Sequence, residues 1–340
     1  MLGIDKPALR IAWTVFLFAL VGLLVYEIRQ TLMNFTLALF FSHLLAPVVA
    51  FFERTGHKRV PRVAILLLVY IAVLAVIVIA LIAVGARIVE QAASLAARLS
   101  EVMKQQDPLS GLPLPTWAVQ FLKDRLGELE KQVLPFLSSA GMQILSGIGS
   151  VLYAILIPIL SFFFLKDGAT IRKTIVESFA RGHQPVVNEI IMDLNLLLAQ
   201  YIRALVLLVI AAFLFYAGFL SAASVPYAIL LAGIAAIFEF IPVVGPLVAS
   251  AVIVLVAAFA SYPHLLWIVT FLVIYRIFQD YVLNPYLMSS GVEVDPLLVL
   301  FGVLAGEQIA GIPGMFFSVP VIAALRVLYV RLRRQRLVAE

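Results

Sequence analysis

The chain has 340 residues, 64% of them hydrophobic and only 13% charged, with a mean hydropathy of +1.10. Soluble domains carry about 25% charged residues, so the composition excludes a soluble globular protein and leaves an integral membrane protein with several spans. The net charge of +5 comes from short Lys/Arg clusters beside apolar runs, a pattern of membrane topology rather than of a nucleic-acid face, and the lack of cysteine removes disulfides, thiolate metal sites and cysteine nucleophiles.

In chain order, Lys6 and Arg10 precede a first span over 9–26. This span is long and lacks a small-residue cleavage site, so it reads as a retained helix and not a signal peptide. Residues 27–30 read as a tight polar turn. A second span covers 31–52, with His43 inside it and Pro47 near its end. Arg54, Lys58, Arg59 and Arg62 then crowd one loop. Residues 63–86 form an uncharged third span.

The sizeable polar stretch is 87–135. Ile88, Ala92, Leu95, Leu99 and Val102 step by four and three and share one helix face. A loop over 107–115 and a second amphipathic helix over 116–133 follow. These helices form either a cap on the bundle or a contact between subunits. A fourth span covers 141–165, kinkable at Pro158. Lys166, Asp167 and Gly168 read as its charged stop and glycine cap. Ile171, Ile175 and Phe179 then give an interfacial helix its apolar face. A fifth span, 204–225, begins after Gln200, Tyr201 and Arg203, where the arginine reads as snorkelling to headgroups. A sixth, 265–283, is interrupted by Arg276 and Asp280. Arg326, Arg331, Arg333, Arg334 and Arg336 end the chain.

The rest is organised around 225–326. This block is apolar nearly throughout yet cut twice, at EFIPVVGP (239–246) and EQIAGIPGM (307–315). The apolar pieces 226–240, 247–260, 296–310 and 316–325 are each shorter than the roughly 20 residues that cross a bilayer. Paired Pro/Gly-interrupted segments point to a transporter's binding site. The expected fold is therefore an all-α polytopic membrane protein with about six full transmembrane helices plus two re-entrant helical hairpins and a helical extramembrane segment; an eight-span count remains open. The parts are N-terminal helices to 86, the amphipathic segment 87–140, a span with its interfacial helix 141–190, a transport core 191–331 and a basic tail 332–340. Basic clusters put both termini in the cytoplasm. The hairpins then enter from opposite sides, with their tips facing inside the bundle.

Glu239, Arg276, Asp280 and Glu307 fall at membrane depth. Each opposes insertion by roughly 2.5–3.5 kcal/mol on translocon scales, so such residues face a cavity or a partner. Arg276 and Asp280 are four apart and can pair. Glu239 and Glu307 are candidates for coupling to H+ or Na+, or else they hydrogen-bond backbone freed by the prolines. Gln279, Asn284 and Gln308 are polar neighbours suited to a hydroxylated solute. Pro242, Gly245, Pro313 and Gly314 form the two tips. No HExxH, GxSxG or Walker A sequence is present, so the chain reads as no enzyme, with no cofactor and no metal. The partners expected are the lipid bilayer and a small polar solute, and no nucleic acid.

FFFLKDG (162–168), YIRALVLLV (201–209), VPYAILLAGIAAIFEFIPVVGP (225–246), NPYLMSSGVEVDPLLVLFGVLAGEQIAGIPGM (284–315) and SVPVIAALRVL (318–328) resemble the ordered blocks of the autoinducer-2 exporter family, the PerM-like permeases. The resemblance covers most of the chain and is strongest from Tyr201 onward. It implies a bacterial inner-membrane secondary transporter, with members linked to export of autoinducer-2 and some to sodium- or lithium-for-proton exchange. It also implies a homo-oligomer, a pentamer, with an elevator-like moving part. The leading expectation is proton-motive-force-coupled export of a small polar solute. A Na+(Li+)/H+ antiporter is the alternative, and a non-transporting oligomeric scaffold the second alternative.

Overall fold

The structure is a computed structural model that describes residues 6–55, 61–103, 151–287 and 295–339. Helices α1 (Lys6–Glu27), α2 (Arg29–Thr55), α3 (Arg62–Met103) and α4 (Val151–Glu177) precede the core. The core comprises α5 (Gln184–Ala222), α6 (Ala228–Phe238), α7 (Val244–Phe259), α8 (Leu265–Phe278), a π-helical turn (Gln279–Leu283), α9 (Asn284–Leu287) and α10 (Pro296–Ala339). Among the described residues, six helical stretches are long and apolar enough to cross a membrane: Arg10–Glu27, Arg29–Arg54, Arg62–Glu101, Gln184–Ala222, Leu265–Leu287 and Leu297–Arg333. The protein is an all-helical, multi-pass membrane protein. The six differ in membership from those expected: 141–165 lies partly outside the described residues, and Leu297–Arg333 joins the set by length and composition although its backbone breaks at Ala310 and Gly311.

The spine is α5, whose 39 residues make a rod of about 58 Å. Its C-terminal half carries a packed core. Ala212, Tyr216 and Leu220 meet Ala228, Leu231, Ala232 and Ala235 of α6, with Ala249, Ile253 and Ala257 of α7. The alanines let three backbones come close, as small residues do where lipid gives no hydrophobic drive to association. Tyr216 packs edge-on against Phe271 and Tyr275 of α8, and Phe219 stacks flat on Phe271 at 3.9 Å.

Helices α6 and α7 have 11 and 16 residues, too few to span a core of about 30 Å separately. They are the two arms of a first hairpin. At its tip the chain turns so tightly that a Cβ on Gly245 would sit 1.8 Å from the Phe238 carbonyl oxygen. Val243 takes a φ of 65° there. A second hairpin lies within α10. The backbone leaves helical geometry at Ala310 and at Gly311, where φ is 63° and ψ −142°, a conformation open to glycine. A Cβ on Gly314 would meet the Gly306 carbonyl oxygen at 1.9 Å, and one on Gly302 would meet Ile322 Cδ1 at 2.3 Å. Residue 306 thus faces 314 and 302 faces 322, the register of two antiparallel arms.

The hairpins reach α5 from opposite ends. The first lies along 212–220. The second is tied near the start of α5, where Arg331 Nη1 reaches Glu189 at 2.7 Å and Nη2 reaches Asp193 at 2.6 Å. Their tips meet at Phe240 and Phe316, whose rings are 5.5 Å apart and nearly perpendicular. Phe40 of α2 closes this junction against Phe316 and Phe317.

Several boundaries are corrected. Residues 27–30 do not turn back: Ile28 N–H bonds Leu24 O and Leu32 N–H bonds Ile28 O, so α1 runs almost directly into α2. That stretch has no glycine or proline to break it. Helix α3 continues past Ala86 to Met103, and its polar half packs on the first hairpin through Ala92, Leu95 and Leu230. Helix α4 passes through Lys166, Asp167 and Gly168 to Glu177. Charged residues form helix readily, and one internal glycine costs only about 1 kcal/mol. Helix α5 begins at Gln184, which puts Arg203 mid-helix. The second amphipathic helix, 116–133, lies outside the described residues.

Gly245→Ala should lower stability by about 2 kcal/mol or more through backbone displacement at the tip. Gly218→Ala, which meets nothing within 4 Å, should cost nothing. Thermal unfolding of the purified proteins in detergent separates the two.

Candidate functional site

Between the hairpins and α5 lies a cavity of about 670 Å³. Its wall on α5 is Leu197, Gln200, Tyr201, Arg203, Ala204 and Leu208. The first hairpin's tip supplies Glu239, Ile241, Pro242, Val243 and Pro246. Arg276, Gln279, Asn284 and Tyr286 come from α8 and the turns after it, and Val299, Val319, Pro320 and Ala323 from the second hairpin.

The polar centre is built by two helix breaks. Helix α6 ends at Phe238, so Glu239 sits where the chain leaves its helix. Opposite, α8 widens into a π-turn at Gln279–Leu283. Such turns insert an extra residue and concentrate at functional sites. Here the turn buries Gln279 to 2% exposure, and its side-chain amide donates to Glu239 Oε1. A carboxylate this far from water requires such a partner. The π-turn also carries a short polar ladder. Arg276 Nε bonds Asp280 Oδ2 at 2.8 Å, and Asn284 Nδ2 donates to Asp280 Oδ1 at 3.3 Å. Both members of the Arg276–Asp280 pair keep more than a third of their side-chain surface open. The pair therefore adds little stability; it aims the guanidinium.

Of the residues expected from sequence, Glu239, Pro242, Arg276, Gln279 and Asn284 line the cavity together. Asp280 joins them through its pair with Arg276. Gly245 lies behind the wall, in the backbone contact of the tip. Glu307, Gln308 and Pro313 are exposed on the second hairpin and are not part of the wall, while Gly314 is used in contact between its arms. The second hairpin instead presents Val319, Pro320 and Ala323 from its second arm.

Sequence reasoning missed the α5 wall. Leu197, Gln200, Ala204 and Leu208 repeat at three- and four-residue steps on one face. That signal was readable, but α5 was expected to begin at 204. Among the described residues no three His, Asp or Glu side chains group to hold a metal ion.

A multi-pass helical bundle with a mainly apolar cavity that carries a few polar groups between broken helices has the architecture of a membrane transport protein. Residues 13–334 match the family described as AI-2E family transporter, and the chain belongs to that family. It is 26% identical over 337 residues to "Putative transport protein YueF" of Bacillus subtilis (strain 168), covering 94% of this chain and 91% of that protein. It is 24% identical over 365 residues to "Putative transport protein YrrI" of the same organism, covering 98% and 99%. A shorter match, 28% over 171 residues, covers 50% of this chain and 47% of "Putative transport protein MT0215" of Mycobacterium tuberculosis (strain CDC 1551 / Oshkosh).

Gln279→Leu should strand the Glu239 carboxylate and lower stability by about 1–3 kcal/mol. The double change Glu239→Leu with Gln279→Leu should recover much of that loss. A double-mutant cycle on thermal unfolding should give a coupling of about 1 kcal/mol or more.

Proposed function

We propose that this protein is a secondary transporter of the bacterial inner membrane that moves a small polar solute out of the cell, coupled to the proton motive force. The observation that carries this reading is the cavity between α5, the first hairpin's tip and the arms of the second hairpin, walled by the buried Glu239. Hairpins of opposite entry allow access to alternate between sides, with the core shifting in an elevator-like step against α2–α4. Glu239 is the coupling carboxylate. Arg276, oriented by Asp280, and the amides of Gln279 and Asn284 contact the solute. The basic C-terminal segment with Arg326, Arg331 and Arg333 faces the cytoplasm. The assembly is a homo-oligomer, a pentamer by family resemblance.

A Na+(Li+)/H+ antiporter is the second reading. It is favoured by the buried carboxylate of Glu239 in the cavity wall. Sodium-driven proton flux in proteoliposomes decides between the two. Flux in the wild type that disappears in Glu239→Gln establishes the antiporter; no flux in the wild type retains the exporter.

The topology has its own test, made simple by the lack of cysteine. Single cysteines replacing Val244 and Ile312 should label slowly, or in a state-dependent way, with an impermeant thiol reagent. Prompt labelling at 244 from the cytoplasm, or at 312 from outside, would contradict hairpins of opposite entry.

A further inference from the structure

The residues that line the cavity include two arginines, Arg203 and Arg276, and one carboxylate, Glu239. Glu239 is engaged by Gln279, and Asp280 is spent on Arg276 without itself lining the wall. Arg203 lines the cavity from α5 and has no ion-pair partner among the described residues. Depth excludes the bland role for this arginine. Arg203 lies ten residues beyond Asp193 on one unbroken helix, about 15 Å along its axis. Asp193 is bound by Arg331, in the basic segment that marks the headgroup level. Fifteen ångströms is about half of a 30 Å hydrocarbon core, too deep for a side chain to snorkel back. An arginine kept there opposes insertion by roughly 2.5–3.5 kcal/mol unless something supplies a counter-charge.

The rest of the wall is mostly aliphatic: Leu197, Leu205, Leu208, Val319, Pro320 and Ala323 among others. Such a surface gains from an apolar body and repels a fully hydroxylated one, whose oxygens would lose water without replacement. We propose that the transported solute is an organic anion with an apolar body, its anionic head held by Arg203 and Arg276 and its body seated on the aliphatic wall. This narrows the solute class and rests on the cavity being the transport site. Arg203 is then the specificity-determining residue. It separates anions from neutral and cationic molecules of the same shape, because guanidinium–oxyanion bonds are charge-assisted and directional.

The test uses the full chain purified in detergent and radiolabelled 4-phenylbutanesulfonate, a permanent anion with an apolar body. Its binding is competed with methanesulfonate, 4-phenylbutanol, 4-phenylbutyltrimethylammonium and ribose. The expected result is saturable binding that methanesulfonate, the alcohol, the ammonium and ribose compete about tenfold less well or worse. Arg203→Gln should weaken binding about tenfold or more, and Arg203→Lys should restore part of it, with both variants eluting as the wild type does on size exclusion. The cavity-filling Leu208→Trp should block binding in a folded protein. Equal competition by ribose or by the ammonium, no binding of the sulfonate, or binding unchanged in Arg203→Gln would each overturn the proposal. The cysteine labelling at 244 and 312 uses no anion, so it judges the transport reading separately.

Discussion

Hydrocarbon offers no hydrogen bonds, so each place where a helix stops inside the bundle must be satisfied by the protein itself. That constraint shapes the core of this molecule. The chain stops a helix at Phe238 and reverses another at Ala310 and Gly311, and it compensates each differently. The first break is closed by its own tight turn and by the Gln279 amide on Glu239. The second is closed by glycines that bring two antiparallel arms into backbone contact. The first break therefore leaves a polar group facing the cavity, and the arms of the second hairpin supply an apolar wall. The asymmetry makes the site amphipathic.

The spine explains why both hairpins line one cavity. Helix α5 is about twice as long as a bilayer core is thick, so each hairpin has its own half to pack on. Aromatic rings of α8 fix one half, and the Arg331 clamp on Glu189 and Asp193 fixes the other. Between these two grips the face of α5 around 197–208 lines the cavity.

Much of this was legible. Composition alone gave a polytopic membrane protein, and the proline and glycine cuts gave two hairpins with their tips in the right stretches. The Arg276–Asp280 pair follows from a four-residue spacing. Less legible was where helices end. Lys166, Asp167 and Gly168 look like a stop, yet nothing in their chemistry forbids helix, and α4 runs through them. The Glu239–Gln279 bond spans 40 residues of sequence and depends on a π-turn that no local pattern announces. Glu307 was placed by its distance from a tip, but the facing of a helix decides what lines a cavity, and Glu307 faces outward.

Helix α3 belongs to both packing groups of the protein. Its first half is locked to α2 and α4 by Leu66 and Val69 and by the buried hydroxyl contact of Tyr70 with Ser161. Its second half grips the root of the first hairpin, where Gln91 Oε1 accepts the Leu230 N–H left free at the start of α6. The two grips are separated by about four helical turns, from Val73 to Ile88, with Arg87 the one charged residue there and Gly85 the one that lacks a side chain. A rigid rod fastened at both ends transmits force. Whatever carries the hairpin relative to the α2–α4 group must flex this short unsupported length or unfasten the amide at its far end.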